Sequence, residues 1–267
     1  MPLPSDQPWP RTNASDKVTY CLGMLLESGL VLMADTRTNA GVDNFSTFRK
    51  LHTLRDEPER QVYVATAGSL SLSQSAIGLL GEDQRATAGR KKRRGLDQAE
   101  SMFNVAQLVG ETVAHVGATI GVALEREHID NTLEMLVGGR IGDGPLKLYL
   151  IYTIGNFIEC TSDVPFLQIG ETKYGRPILD RALNHQTPLA EAAKIGVLSF
   201  DSTMESNLGV ARPIDLLVLP SDRGRPPLRR RIQEDDSYFL DTTRRWAKIL
   251  SDGVVALPDP PWMPGEN

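Results

Sequence analysis

The sequence predicts an α+β fold in which two antiparallel β-sheets lie face to face and helices cover both outer faces, giving four layers. Strand-like and helix-like segments come in blocks, in the order strands, two helices, strands, two helices and a strand. Helices grouped between runs of strands, rather than alternating with them, favour antiparallel sheets with helical layers outside. The segment 62–65 (VYVA) is apolar on both sides, which suits a sheet covered on both faces.

The first block of strands is predicted to form two hairpins. Its four predicted strands are Tyr20–Leu26, Leu30–Ala34, Lys50–Leu54 and Gln61–Ala67. The residues Glu27-Ser28-Gly29 form a short hairpin signal between the first two strands. Residues Arg55–Glu59, which include a proline, are predicted as the loop of the second pair.

Two helices are predicted within residues 69–126. The second shows the clearer helical spacing, at Met102, Val105, Ala106, Val109, Val113 and Val116. Asp97 followed by Glu100 predicts a capping box at its start. The basic run Arg90–Arg94 lies between the two helices and is interpreted as a solvated loop.

The second block repeats the order of the first. Its predicted elements are strands at Leu133–Val137, Leu146–Ile154 and Phe166–Ile169, helices at Tyr174–Asn184 and from Thr187-Pro188, and a last strand at Asp215–Leu219. Thr187 is the predicted N-cap and Pro188 the first helical residue. These boundaries predict one domain over 19–222 and an Arg/Pro-rich tail over 223–267, which allows one more helix near Thr242–Leu250.

Composition narrows the class of protein. The chain has 267 residues, a net charge of -5 and a pI near 5.5, which argues mildly against nucleic acid as a partner. The arginines of residues 223–231 are therefore interpreted, like the earlier basic run, as a solvated loop. Two cysteines, Cys21 and Cys160, give no disulfide framework. No apolar run of about 18 residues and no secretory signal is visible, so we expect a cytoplasmic protein without a membrane partner.

Common catalytic motifs are absent from the sequence. The four histidines form no HExxH pattern, and there is no CxxC pair, GxSxG elbow or GxxxxGK[ST] loop. We therefore predict no metal site and no cofactor. Any catalysis by this chain needs another design.

Residues 19–51 carry a pattern that offers one. A threonine opens an apolar strand, a tight hairpin follows, and the returning strand ends in Ala34-Asp35-Thr36-Arg37. Asn39-Ala40-Gly41 comes next, and Lys50 precedes an aliphatic residue. This looks like the start of a mature proteasome β subunit. Residues 39–51 (NAGVDNFSTFRKL) resemble most closely the Anbu group of bacterial proteasome-like proteins.

Two further stretches strengthen the resemblance. They are residues 65–69 (ATAGS) and 169–180 (IGETKYGRPILD), and the similarity of ordered elements covers roughly residues 19–220. The resemblance implies the N-terminal nucleophile hydrolase fold. It also implies a homo-oligomeric ring or spiral that hydrolyses peptides or unfolded proteins, with no unfoldase partner named by any motif.

The resemblance also assigns catalytic roles. Thr19 would supply the nucleophilic hydroxyl and, once N-terminal, the α-amine that acts as base, since that amine is partly neutral near pH 7. Lys50 would lower the pKa of both groups by its charge, and Asp35 would pair with Lys50. The backbone N–H of Gly68 would stabilise the oxyanion.

Supporting and substrate-binding roles follow from the same resemblance. Asp180 would support the N-terminus as a neighbouring carboxylate. The family's serine three residues later is Leu183 here, and its other supporting serine aligns with Glu171. The segment containing Arg37, Asn39 and Gly41 would bind an extended substrate backbone.

Each residue alone has a structural interpretation. Threonine favours strands, Asp35 could be a turn residue, Lys50 an edge-strand charge and Gly68 a backbone-conformation glycine. Their occurrence in one register favours catalysis. Cys21 would share the face of Thr19, and we interpret it as a small core residue rather than a second nucleophile.

Residues 1–18 precede the predicted nucleophile. They are polar, contain four prolines and are interpreted as a disordered leader, a propeptide or a mis-annotated start. Proteasome propeptides are normally cut after glycine, whereas Val18 precedes Thr19 here. A GTG start codon read from further upstream would be written as valine, and we expect the native chain to begin there.

Two other functions remain open on the same fold. One is a non-catalytic assembly or binding subunit, and the other is an amidase that acts on a small amide. The retained Thr19, Asp35 and Lys50 argue against the first. They do not separate peptides from small amides, because the attack chemistry is the same.

Overall fold

The computed structural model describes residues 19–39, 45–82, 95–127 and 129–263. Within them, the strands are β1 (Tyr20–Leu26), β2 (Gly29–Asp35), β3 (Arg37–Asn39), β4 (Phe45–Thr47), β5 (Leu51–Glu57), β6 (Arg60–Gly68), β7 (Leu133–Ile141), β8 (Lys147–Ile151), β9 (Phe157–Glu159), β10 (Phe166–Gly170), β11 (Ile214–Pro220) and β12 (Leu228–Ile232). The α-helices are α1 (Leu70–Glu82), α2 (Met102–Val116), α3 (Val122–Arg126), α4 (Arg176–Ala182), α5 (Leu189–Ser206) and α6 (Ser237–Ala256).

The strands form two five-stranded sheets and one small hairpin. The first sheet has the order β10-β1-β2-β11-β12 and the second the order β5-β6-β7-β8-β9, while β3 pairs only with β4. Every pair in these sheets is antiparallel. The predicted α+β architecture of two antiparallel sheets with helices outside is confirmed.

Three apolar layers hold the sandwich together. The middle layer joins the two sheets through residues such as Cys21, Leu32, Tyr63 and Leu148. One outer layer packs α1 and α2 on the second sheet, and the other packs α4, α5 and the start of α6 on the first. Because both faces of the sheets are covered, the strands β1, β2 and β6 are buried almost throughout, as predicted for residues 62–65.

The hairpin β1–β2 sets the geometry of one end of the first sheet. Cys21 pairs with Ala34 and Leu26 with Gly29 across the two strands. The beginning of β1 therefore lies beside the end of β2, which places Thr19 and Asp35 at the same edge. Ile214 of β11 pairs with Asp35 and extends this end to the next strand.

The predicted loop at Arg55–Glu59 is wrong. Strand β5 continues to Glu57 and β6 begins at Arg60, so only Pro58 and Glu59 form the turn. Two of the charged residues in this part of the strand, Arg55 and Asp56, have side-chain partners. Arg55 donates to Asp97 at 2.6 Å, and the side chain of Asp56 binds Arg229 at 2.5 Å.

The predicted helix caps are also wrong. The hydroxyl of Ser101, not Asp97, accepts the Asn104 N–H at the start of α2, because Asp97 lies in the 3-10 turn Leu96–Gln98. At α5, Pro188 is itself the N-cap, in an extended conformation, and its side chain has no atom that could accept a hydrogen bond. The Thr187 hydroxyl accepts from the Asn184 N–H instead.

The arginine-rich segment is not a solvated loop throughout. Residues Leu228–Ile232 form β12, which pairs with β11 and extends the first sheet. Arg231 makes a two-point contact with Asp215 at 2.7 and 2.8 Å, so its charge is compensated in the strand. After it, α6 runs well beyond the predicted 242–250, and its Phe239 is buried in the outer layer.

The helical run Met102–Arg126 is 25 residues long and apolar enough, by length and composition, to cross a membrane. This corrects the expectation that no such stretch exists. Its first half packs a buried face on the second sheet, as core helices of globular proteins do. The basic run Arg90–Arg94 and residues 1–18 lie outside the described residues.

Candidate active site

A buried ion pair lies where the two sheets meet at one end. The Lys50 ammonium contacts both carboxylate oxygens of Asp35 at 2.9 Å. Asp35 is fully buried and Lys50 is only 5% exposed. Burying two charges is costly unless they are paired and hydrogen-bonded, so this pair marks a site that the fold holds tightly.

Backbone N–H groups complete the contacts of the Asp35 carboxylate. The Tyr20 N–H donates to Oδ1 at 3.0 Å, and the Arg37 N–H donates to Oδ2 at 3.1 Å. The Lys50 ammonium also donates to the Arg37 carbonyl. Three acceptor atoms therefore fix the position of the Lys50 ammonium. The Tyr20 N–H and the Lys50 ammonium both donate to Oδ1 of Asp35.

Burial raises the pKa of Asp35 to about 6, and the charge of Lys50 together with the N–H donors offsets part of that rise. Near neutral pH the carboxylate is therefore ionised. It can then hold Lys50 as a cation close to residue 19.

Thr19 lies immediately before β1 and is 9% exposed. Its carbonyl accepts the Glu171 N–H at 2.7 Å, which fixes the residue against the end of β10. Side chains alternate along a strand, and Cys21, two residues on, belongs to the layer between the sheets. Thr19 is therefore placed with its side chain on the inter-sheet face at the edge of the sandwich.

Gly170 makes this close approach possible. It has a φ of +80°, and a Cβ built on it would lie 2.0 Å from the Thr19 carbonyl oxygen. Any other residue would push the β10 end away from Thr19.

Gly68 lies at the end of β6 and has a φ of +102°. A Cβ there would lie 2.3 Å from the Thr132 carbonyl oxygen, so the position requires glycine. Two residues earlier, the Thr66 N–H donates to the Lys50 carbonyl at 3.0 Å. This bond brings the end of β6 to the same edge as Lys50, while the oxyanion role of Gly68 stays a prediction.

The three predicted substrate-binding residues differ in what the structure shows. Arg37 opens β3 beside the ion pair, and its guanidinium donates to the Leu208 carbonyl at 3.0 Å. Asn39 ends β3, and Gly41 lies outside the described residues. Strand β3 thus begins at the site, as an extended substrate-pairing segment would require.

The structure does not bring Asp180 to Thr19. Asp180 lies on α4, its side chain is 50% exposed, and it pairs with Arg176 at 3.3 Å on the same helix. The reason is helical geometry, because its neighbour Leu179 is the residue that faces the core. Within the described residues the Asp180 side chain has no other hydrogen-bond partner.

Glu171 is hydrogen-bonded to Thr19, and Asn207 is hydrogen-bonded to Glu171. Glu171 follows Gly170 directly, is 8% exposed, and accepts a hydrogen bond from the Asn207 amide at 3.1 Å. Sequence reasoning noted Glu171 only as a departure from the family pattern, and it missed Asn207. The only signal for Asn207 in the sequence is an asparagine at the end of a helix, two residues before Gly209, which resembles an ordinary helix terminus.

Cys21 is a core residue, as predicted. It is fully buried, burial raises its pKa, and its thiol donates to the Thr66 carbonyl at 3.4 Å. A thiol in this state is a poor nucleophile. Among the described residues, no group of three or more His, Cys, Asp or Glu could hold a metal ion.

Solved structures resemble this chain along nearly its whole length. Anbu (ancestral beta-subunit) from Yersinia bercovieri is 40% identical with a TM-score of 0.83, covering 92% of this chain and 100% of its own. The chain belongs to the Anbu family. It is therefore a proteasome-like subunit by fold and descent.

Two further Anbu structures agree. The helical assembly of the Anbu complex from Pseudomonas aeruginosa is 44% identical, with a TM-score of 0.81, and covers 91% of this chain and 99% of its own. Anbu from Hyphomicrobium sp. strain MC1 is 38% identical, with a TM-score of 0.82, and covers 90% and 99%. No family model matches this Anbu chain, and no curated protein matches it significantly.

Proposed function

We propose that the chain is a threonine-type peptidase subunit of a proteasome-like homo-oligomer, with Thr19 as its N-terminal nucleophile. The buried Asp35–Lys50 pair is the observation that carries the proposal. A cation held at this depth beside the start of β1 is costly to maintain without a purpose at residue 19. The Tyr20 N–H on the same carboxylate ties the backbone of the nucleophile to that cation.

The proposed reaction uses both ends of one residue. The Thr19 hydroxyl gives its proton to its own α-amine while Oγ attacks the scissile carbonyl carbon. The tetrahedral oxyanion accepts the Gly68 N–H, and the protonated amine then gives its proton to the leaving nitrogen as the C–N bond breaks. Water, deprotonated by the same amine, hydrolyses the remaining ester.

Lys50 acts in this scheme through its charge. A cation next to the α-amine and the hydroxyl lowers the pKa of both, which keeps the amine neutral and eases loss of the hydroxyl proton. Asp35 keeps the cation in place. Because an amide nitrogen is no base, the scheme requires that the active chain begin at Thr19.

Residues 1–18 must therefore be removed or never made. Cleavage after Val18 is one route, and translation from codon 18, with removal of the initiating Met, is the other. Intact-mass measurement on the protein from its own host separates these routes from a chain that keeps the segment.

We propose self-assembly on the evidence of a relative, since the Pseudomonas aeruginosa structure is a helical Anbu assembly. Peptides or unfolded proteins are the proposed substrates. The cytoplasm is the proposed compartment, because both cysteines are buried free thiols rather than disulfide partners.

The test compares chains that begin at Thr19 with and without Thr19→Ala, using a peptide library and a panel of small amides. We expect Thr19→Ala to assemble normally and to lose all amide hydrolysis. Thr161→Ala, at an exposed threonine away from the site, is the matched control and should keep full activity. Undiminished hydrolysis by Thr19→Ala would refute the mechanism.

The same panel separates the other functions. Hydrolysis confined to small amides would make the chain an amidase. If neither variant hydrolyses any substrate while both assemble, the chain serves as a non-catalytic subunit, as the α subunits of proteasomes do.

A further inference from the structure

Glu171 presents a buried carboxylate without a cationic partner in the described part of the chain. The residue is 8% exposed, and neither Lys nor Arg among the described residues pairs with it. Buried carboxylates are normally paired, because desolvating an isolated charge is costly. A cation is therefore expected near Glu171.

The hydrogen bonds of Glu171 show that both of its side-chain oxygens are acceptors. Oε1 accepts the Lys173 N–H at 3.3 Å, and Oε2 accepts the Asn207 amide N–H at 3.1 Å. The Asn207 amide cannot be turned around, because its oxygen accepts the Gly209 N–H at 2.9 Å. Two N–H donors from different parts of the chain thus fix both carboxylate oxygens in position.

The position of Glu171 points to the missing cation. Its own N–H donates to the Thr19 carbonyl at 2.7 Å, and Tyr20 pairs with Gly170 across β1 and β10. Glu171 is thus the residue directly opposite Thr19. A chain that begins at Thr19 places a new positive charge, the α-ammonium, at this point.

We infer that Glu171 is the counter-ion of the Thr19 α-ammonium in the mature chain, with Asn207 as the residue that orients the carboxylate. The inference rests on the proposed function only in requiring a free amine at residue 19. Glu171 is a positioning residue in this scheme. Its carboxylate binds the α-amine when the amine has accepted the proton of the Thr19 hydroxyl. Asp180 does not have this role.

The test measures stability rather than activity, so its result does not depend on whether the chain is a peptidase. Two chains carry Thr19→Ala to prevent self-cleavage, one beginning at residue 19 with a free α-amine and one retaining residues 1–18. Every described element lies after residue 18, so both contain the whole fold. Glu171→Gln is introduced into each, with Glu191→Gln, at an exposed position on α5, as the control.

We expect Glu171→Gln to lower the urea midpoint of the chain with the free amine, and to leave unchanged or raise that of the longer chain. The control substitution should leave both midpoints unchanged. An equal effect of Glu171→Gln in both chains would overturn the inference, because the residue would then act without the amine.

A second readout follows the amine directly. Isotopically labelled N-terminal dimethylamine, made by reductive methylation of the chain that begins at residue 19, is titrated by NMR. Loss of the carboxylate in Glu171→Gln should lower the amine pKa by about one unit or more. An unchanged amine pKa in Glu171→Gln would contradict the ion pair, even if the chain is a peptidase. A lowered amine pKa would support the ion pair, even if the chain hydrolyses no peptide.

Discussion

The Lys50 ammonium lies 2.9 Å from each carboxylate oxygen of Asp35, and both residues are buried. The pair joins the end of the buried strand β2 to the residue that precedes β5.

Removing one charge of the pair should destabilise the fold. Lys50→Met leaves Asp35 buried without its cation, and we expect a loss of about 3–5 kcal/mol in the free energy of unfolding. Urea unfolding measures this. The double variant Asp35→Asn/Lys50→Met should recover a substantial part of the loss and remain inactive. A single variant as stable as the parent would contradict the burial of an uncompensated charge.

Activity should fall steeply on the acid side. Two groups must lose protons in the proposed scheme: the Thr19 amine, with an ordinary pKa of about 7.7–8.0, and Asp35, whose pKa burial raises to about 6. Below the amine pKa, kcat/KM should drop about tenfold per pH unit. As pH falls through about 6, protonation of Asp35 releases Lys50 and the slope should approach a hundredfold per unit. If the slope of log(kcat/KM) against pH stays at one down to pH 4.5, with the fold intact by circular dichroism, Asp35 need not be ionised for activity.

A methyl group on Gly68 should distort the proposed oxyanion site. The φ of +102° and the Thr132 carbonyl 2.3 Å from the added Cβ force the backbone to move in Gly68→Ala. We expect a loss of about 1–3 kcal/mol in stability, together with loss of kcat. Gly78→Ala, in the interior of α1 with open space around the new methyl, should instead gain about 0.5–1 kcal/mol. Thermal unfolding and amide hydrolysis of the two variants check both statements.

Asp180 should prove dispensable. Because its side chain is half exposed and pairs only along its own helix, Asp180→Asn should change stability by no more than about 0.5 kcal/mol. Activity should stay within about twofold of the parent, whereas Asp35→Asn should abolish it. An Asp180→Asn variant with a large loss of kcat would restore the role that the family resemblance assigned to it.

The order of strands and helices along the chain could be predicted because it depends on local signals, whereas the Asp35–Lys50 pair was implied by the family resemblance. Asp35 ends an apolar strand and Lys50 precedes the next one, and the hairpin β1–β2 then leaves no other place for Thr19 than the same edge. The fold class followed from blocks of strands and helices, and the structure confirms it.

The neighbours of Glu171 could not be predicted in the same way. Asn207 reaches Glu171 only after α5 has packed on the first sheet, a contact between residues 36 positions apart. Strand β12 was not predicted for a similar reason. Its Arg231 and Arg229 form ion pairs with Asp215 and Asp56, and these partners lie on other strands. In both cases the structure depends on a contact with a residue far away in the sequence, which the local sequence does not indicate.

The central claim is that Thr19 is the N-terminal nucleophile, and trapping its acyl intermediate tests this most directly. Protein purified from its own host is mixed with a peptide ester, quenched in acid during the first turnover and examined by intact-mass and peptide-mapping mass spectrometry. We predict a chain that begins at Thr19 and carries one hydroxylamine-sensitive acyl group on that residue. A chain that retains residues 1–18, or an acyl group on any other residue, would contradict the account.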